Sequence, residues 1–222
     1  MPAKNSRKLY LENGYYHIYN RGVDKRDVFM SKKDLDRFVL SVKIFNTIEP
    51  VGGLYKISQF DSLKDQKEKG TLVSIVCYCF NPNHFHLILK QEVDGGVSEF
   101  LKRLLGGYTK YFNQVHNRSG ALFQGRFKSH PIDNDQYFMK IFPYVNGNYL
   151  VHDIPQNKLD LVLSSDREYD QMNFNLVSKK EAEEIIDIYG SSKDFKKESI
   201  NIASLIREQR GKAPLVFLEN AD

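Results

Sequence analysis

The sequence predicts an α+β fold: a ferredoxin-like split βαβ core, one antiparallel sheet carrying its helices on one face, followed by a C-terminal helical extension. Three observations predict it. Apolar residues alternate between strand-like and helix-like spacing in the order strand, helix, two strands, helix, strand, helix. The two middle strands are joined by Asn81-Pro82-Asn83, which is turn chemistry and makes them an antiparallel hairpin. At 222 residues and 25.8 kDa the chain suits one domain with an extension better than two domains, dividing at 1–155 and 156–222.

Tyr15 to Asn20 reads as a short strand ended by Arg21-Gly22. Ser31 is placed to cap a helix over Lys32 to Asn46, where Leu35, Phe38, Val39, Val42 and Phe45 recur at spacings of three and four. Asp61 to Gly70 is a polar loop. Leu72 to Phe80 and His84 to Lys90 are the hairpin strands. Val97 to His116 has helical spacing in Phe100, Leu101, Leu104, Leu105, Tyr108, Phe112 and Val115; Gly106-Gly107, at about 1 kcal/mol per glycine, suggests a bend. Ala121 to Ile132 follows as a strand, and Asp133 or Asn134 caps a helix running toward Leu150, which Pro143 and Gly147 are expected to kink or break. Past Gln156, Lys179 to Tyr189 is a helix and the mixed-charge end is expected to be peripheral.

Composition excludes several classes. With 41% hydrophobic residues the chain is globular, not disordered. The longest mainly apolar run, Leu72 to Phe80, has nine residues, whereas a membrane helix needs about 20. Met1 to Glu12 is charged and lacks the apolar stretch of a secretory signal, and the only two cysteines, Cys77 and Cys79, are poorly placed to bridge each other; a cytoplasmic protein is expected.

The net charge of +4 is unevenly spread. Between Val97 and His130, six cations (Lys102, Arg103, Lys110, Arg118, Arg126 and Lys128) face one acid, Glu99. Phe100, Tyr108, Tyr111, Phe112, Phe123 and Phe127 are interleaved with them. Cations along the phosphates and rings under the bases are how single-stranded nucleic acid is held, although a helix also has a solvated polar side.

His84 and His86 flank Phe85 on the second hairpin strand. The two-residue period sends both imidazoles to one face and Phe85 to the other, the spacing two ligands need to share a cation. Alone, such a pair is also common on ordinary strand surfaces.

In sequence context the triplet resembles the signature of the HUH nucleases, and more specifically that of the REP-associated tyrosine transposases, relatives of the small single-tyrosine insertion-sequence transposases. The resemblance runs through Tyr19-Asn20-Arg21-Gly22, then Tyr78-Cys79-Phe80-Asn81-Pro82-Asn83-His84-Phe85-His86-Leu87, then Gly120-Ala121-Leu122-Phe123-Gln124-Gly125-Arg126-Phe127-Lys128, and Ser164-Ser165 with Tyr169. It implies Tyr144 as a nucleophile toward DNA, and a metal site of His84, His86 and Asn148 holding Mg²⁺ or Mn²⁺, although ligand spacing alone would also admit Zn²⁺. It further implies single-stranded or hairpin DNA as partner, with Arg21, Gln124, Arg126 and Lys128 as DNA-binding residues; the charge pattern adds Lys102, Arg103, Lys110 and Arg118 to that set, although Lys102, Arg103 and Lys110 read better as the solvated side of their helix. Both a homodimer and a monomer occur among such proteins.

The chain departs from the family pattern around the tyrosine. Pro143 stands where a basic residue is usual, Tyr149 where proline is usual, and Phe123 replaces a tryptophan. Tyr144 could instead pack a helix on the sheet, leaving Tyr149, Tyr137, Tyr111 and Tyr108 as other phenols, and Asn148 could cap a helix beside Gly147. Two functions follow: an enzyme that nicks and joins single strands, or a DNA-binding protein that has lost the chemistry.

Overall fold

A computed structural model describes residues 10–49 and 70–209. The polar loop expected over Asp61 to Gly70 lies, except for Gly70, outside the described residues, as does most of Met1 to Glu12.

Five strands form one sheet: β1 (Tyr15–Arg21), β2 (Val73–Asn81), β3 (His84–Gln91), β4 (Lys128–Pro131) and β5 (Leu163–Ser164). Their order is β4-β1-β3-β2-β5 and every neighbouring pair is antiparallel. Helix α1 (Lys32–Phe45) joins β1 to β2, and α2 (Gly96–Val115) joins β3 to β4, so each parallel pair is split by an inserted strand as the element order predicts. Strand β5 is an addition from the C-terminal extension at the β2 edge.

The α+β class and antiparallel sheet agree with the sequence reading, and α1 and α2 do share one face, where Phe38 packs on Phe80, Phe85 and Tyr108. The opposite face is covered too. Helices α3 (Asp135–Asn146), α4 (Asn148–Val151) and α6 (Lys179–Tyr189) pack on it across β2 and β3. Burial explains this: in β3, Phe85, Leu87 and Leu89 on one face and Ile88 on the other are all fully buried, the pattern of a strand covered on both sides.

Ser31 caps α1 as expected, in a reciprocal arrangement: the Asp34 amide donates to Ser31 Oγ and the Ser31 amide donates to Asp34 Oδ2. Helix α2 runs through Gly106-Gly107 without interruption. Gly107 is there for contact, since a Cβ would come within 2.7 Å of the Phe45 ring. The expected strand over Ala121 to Ile132 pairs as a strand only at Lys128–Pro131, preceded by a single bridge between Gly22 and Phe123.

Asn134 caps α3 by accepting the Tyr137 amide. Pro143 lies inside the helix and has no N–H for the Met139 carbonyl, which instead accepts the Tyr189 hydroxyl at 3.0 Å. The mixed-charge end is not peripheral. Ser192–Gln209 is a helix, α7 (after α5, Asp166–Gln171), that buries Phe195, Ser199, Ile202 and Ala203 and packs against α3. Its apolar residues recur at helical spacing, a signal masked by the density of charge around them. Among the described residues no helix is long and apolar enough to cross a membrane, and Cys77 and Cys79 are separate buried thiols.

Candidate metal centre and nucleic-acid cleft

The hairpin sets the first two groups. Asn81 and His84 are direct cross-strand partners, as are Cys79 and His86, so both histidines leave the face opposite Phe85. They are almost fully buried, His84 at 7% exposure and His86 at 1%. Burial drives the His84 imidazole down to about 3 and holds His86 well below the ordinary histidine range, so both rings are neutral.

Helix α3 brings the next two groups across that face. Tyr144 meets the His86 ring edge-on, with centroids 5.6 Å apart, and Asn148 Oδ1 lies 3.3 Å from His84 Nε2. Four helical residues advance about 6 Å and two strand residues about 6.6 Å, so the Tyr144/Asn148 pair spans the His86/His84 pair almost in step. The helix ends at Asn146 and Asn148 begins the short α4, yet the Gly147 amide still donates to the Pro143 carbonyl at 2.9 Å, so the backbone keeps its helical path through the break. Glycine lets α7 approach the joint closely, since a Cβ there would lie 3.0 Å from the Ser199 carbonyl. The Ser164-Ser165 motif anchors the same joint. Ser164 Oγ donates to the Asn146 carbonyl, Ser165 Oγ to Asn146 Oδ1 at 2.7 Å, and Asn146 Nδ2 to Ser199 Oγ at 3.3 Å.

Ring tautomers follow from the outer partners. Asn83 Oδ1 can only accept, at 2.6 Å, so His84 Nδ1 carries the proton and its Nε2 lone pair points toward Asn148. His86 Nδ1 pairs with His17 Nε2 at 2.9 Å, and His17 Nδ1 with the Tyr137 hydroxyl at 3.2 Å. When His86 donates along this chain, its Nε2 is the free lone pair.

Among the described residues no group of three His, Cys, Asp or Glu side chains is arranged to hold a metal ion, so a cation here has to take amide oxygen as well as imidazole nitrogen. His84 Nε2 and Asn148 Oδ1 converge with both lone pairs buried, and Asn148 Nδ2 is buried without a hydrogen-bond partner. Two neutral imidazoles and an amide oxygen fit a divalent ion that completes its shell with oxygen, as Mg²⁺ and Mn²⁺ do.

Beside the histidines lies a cleft lined by Tyr19, Asn20, Arg21, Gln124, Arg126 and Lys128 together with His84 and His86. The Gln124-Gly125-Arg126 segment is strapped to β1: the Gln124 amide donates to the Arg21 carbonyl at 2.8 Å, and Asn20 Nδ2 to the Gly125 carbonyl at 3.2 Å. The side chains of Gln124, Arg126 and Lys128 are left exposed. Tyr144 is 3% exposed and does not line this cleft.

Four of the eight expected DNA-binding residues therefore meet at the histidines. The other four do not. Lys102, Arg103 and Lys110 lie on α2, which covers the opposite face; Arg103 holds Glu99 and the Thr47 carbonyl, and Lys102 pairs with Glu99. Arg118 holds the turn after α2 through Asn113 Oδ1. Phe100, Tyr108 and Phe112 are core residues, so the interleaved rings of that helix are no stacking platform. Among the other phenols, Tyr149 donates to Asp166, Tyr108 to the Val28 carbonyl, and Tyr111 lies under Arg37. Sequence reasoning missed Asn81, whose Nδ2 donates to Asn148 Oδ1 at 2.8 Å. The two-residue turn was the available signal, because it makes Asn81 the partner of His84.

Residues 56–148 match the family model described as "Transposase IS200 like", a span containing the hairpin, both histidines and Tyr144 and ending on Asn148. The solved structure of a REP-associated tyrosine transposase bound to a REP hairpin is similar at 15% identity and a TM-score of 0.45, covering 78% of this chain and 88% of that one. No curated protein matches the chain. Over residues 56–148 the chain is therefore similar to the IS200-like transposases.

Proposed function

We infer that this protein is a divalent-metal-dependent enzyme that nicks and joins single-stranded DNA through a phosphotyrosine on Tyr144. The observation that carries the reading is the convergence of His84 Nε2 and Asn148 Oδ1, 3.3 Å apart, with Tyr144 against His86, beside a cleft carrying Arg21, Arg126 and Lys128. His84, His86 and Asn148 would hold the metal, which would offset negative charge on the reacting phosphate. Arg21, Arg126 and Lys128 take the flanking phosphates, and Gln124 adds a neutral donor.

The Tyr144 oxygen forms the new bond to phosphorus as the bond to the 3′ oxygen breaks. The phenol loses its proton and the leaving oxygen gains one, giving a 5′-phosphotyrosine and a free 3′-hydroxyl. Phosphodiester energy is kept in the covalent link, so a second 3′-hydroxyl can reverse the step without ATP. All four groups come from one chain, so the reading requires no second protomer. Hairpin-bearing single strands are the substrate class that the motif resemblance favours.

Burial of Tyr144 favours the second reading, a DNA-binding protein that does not cut. Covalent trapping separates them: wild type, Tyr144→Phe and His84→Ala are incubated with labelled hairpin DNA and Mn²⁺ and run on a denaturing gel. An adduct in wild type alone supports the enzyme. Binding without an adduct across a broad panel of hairpins supports the second reading, and an adduct surviving in Tyr144→Phe moves the nucleophile to another tyrosine.

A further inference from the structure

Three buried polar atoms meet where the hairpin faces α4. Asn81 Nδ2 lies 2.8 Å from Asn148 Oδ1 and 3.1 Å from His84 Nε2, and those two are 3.3 Å apart. Their residues are 1%, 0% and 7% exposed in the order Asn81, Asn148, His84. Neighbouring ligands of an octahedral ion with metal–oxygen distances of about 2.1 Å are separated by about 3 Å. The triangle therefore has the dimensions of one face of such a coordination shell. The same three atoms can be bridged by the two N–H protons of Asn81 or by a cation.

We propose that Asn81 is a fourth protein ligand of the divalent ion, alongside His84, His86 and Asn148; the proposal rests on the metal-site reading above. A half-turn of the Asn81 amide brings Oδ1 to the corner of the triangle that Nδ2 holds. Surroundings permit the turn. On the far side Asn81 Oδ1 accepts from the Cys79 thiol at 3.8 Å, and sulfur accepts from an amide N–H as weakly as it donates to the oxygen. The other two corners keep their aim, because His84 is anchored through Nδ1 on Asn83 and Asn148 follows the Asn146 joint fixed by Ser164, Ser165 and Ser199. Asn81 itself is fixed by register as the cross-strand partner of His84.

The test is Mn²⁺ binding to the full chain without DNA, read from the EPR signal of free Mn²⁺, for wild type, Asn81→Asp and Asn81→Leu. As a ligand, Asn81 gives a set order: Asn81→Asp, with a charged oxygen, binds Mn²⁺ about tenfold more tightly than wild type, and Asn81→Leu about 10–100-fold more weakly. As a mere hydrogen-bond donor to Asn148 it gives the opposite sign for Asn81→Asp, which has no N–H, and that weakening overturns the proposal. Thermal midpoints with EDTA and with Mn²⁺ report folding, and if Asn81→Leu does not fold the sign of Asn81→Asp decides alone. A wild type that takes up no Mn²⁺ overturns the metal-site reading together with this one, whereas uptake by wild type with weaker uptake by Asn81→Asp overturns this one alone.

Discussion

Three imidazoles are buried together in the candidate site, and acid should unfold the protein through them. His17 is fully buried, as are His84 and His86 nearly so, and burial drives His17 and His84 down to about 3 and His86 well below the ordinary range. In the unfolded chain each takes a proton near pH 6.5. The folded state thus binds fewer protons than the unfolded state below that pH, and stability fully present above it drains away as pH falls from about 6.5 toward the folded values. Between pH 7.5 and 5.5 the loss is about 1.4 kcal/mol per histidine, ~4 kcal/mol for the three. That is a large part of the usual stability of a domain, about 5–15 kcal/mol. Urea unfolding at the two pH values, in EDTA so that no cation competes with protons, measures it. His17→Gln, which keeps a polar partner beside His86, should recover about a third of the loss. A total loss under about 1.5 kcal/mol would refute the reasoning, because it would mean that water reaches the rings and they protonate without unfolding.

The cleft and the α2 cations make separable predictions. Arg126→Ala and Lys128→Ala should each weaken hairpin-DNA binding and reduce the slope of log affinity against log salt by about 0.7–0.9, while Lys102→Ala and Lys110→Ala change neither; fluorescence anisotropy across a salt series checks this, and an equal effect of Lys110→Ala would put the DNA on the other face. Gly106→Ala should stabilise by about 1 kcal/mol, because among the described residues the added Cβ meets nothing within 4 Å beyond its own helix backbone, whereas Gly107→Ala should destabilise by about 1–3 kcal/mol through the Phe45 ring. Thermal unfolding of both should give opposite signs. Tyr189→Phe should cost about 0.5–1.5 kcal/mol by stripping the Met139 carbonyl of its donor, and the cost should vanish in a Pro143→Ala background, where the restored backbone amide takes that carbonyl. A double-mutant cycle with no coupling would show that water already serves it.

Local pattern was enough for much of this molecule. The Asn-Pro-Asn turn, the two-residue period of β3 and the Ser31 cap depend on residues close in the chain, so the hairpin, the shared face of His84 and His86 and the start of α1 were legible in the sequence. The pairing of Tyr144 with His86 and of Asn148 with His84 was legible only as a spacing, four residues on a helix against two on a strand; the approach of α3 to that face is decided by packing. Charge misled where tertiary contact decides. Lys102 and Lys110 share their charge with Arg126 and Lys128, and only the motif around Gln124-Gly125-Arg126 set the two pairs apart in the sequence; the helix of the first pair covers the far face, because its phenylalanines are buried against α1 and the sheet. Nor did local pattern show the repair of Pro143, since its cost is met by Tyr189, on a helix from the C-terminal extension. By itself the sequence determined the types of the strongly periodic elements, the hairpin and the chemical identity of the two histidines, since each follows from short-range sterics and side-chain period. Only the tertiary structure decided which cations reach the histidines, and that Asn81 meets Asn148 at His84, because long-range packing sets which faces touch.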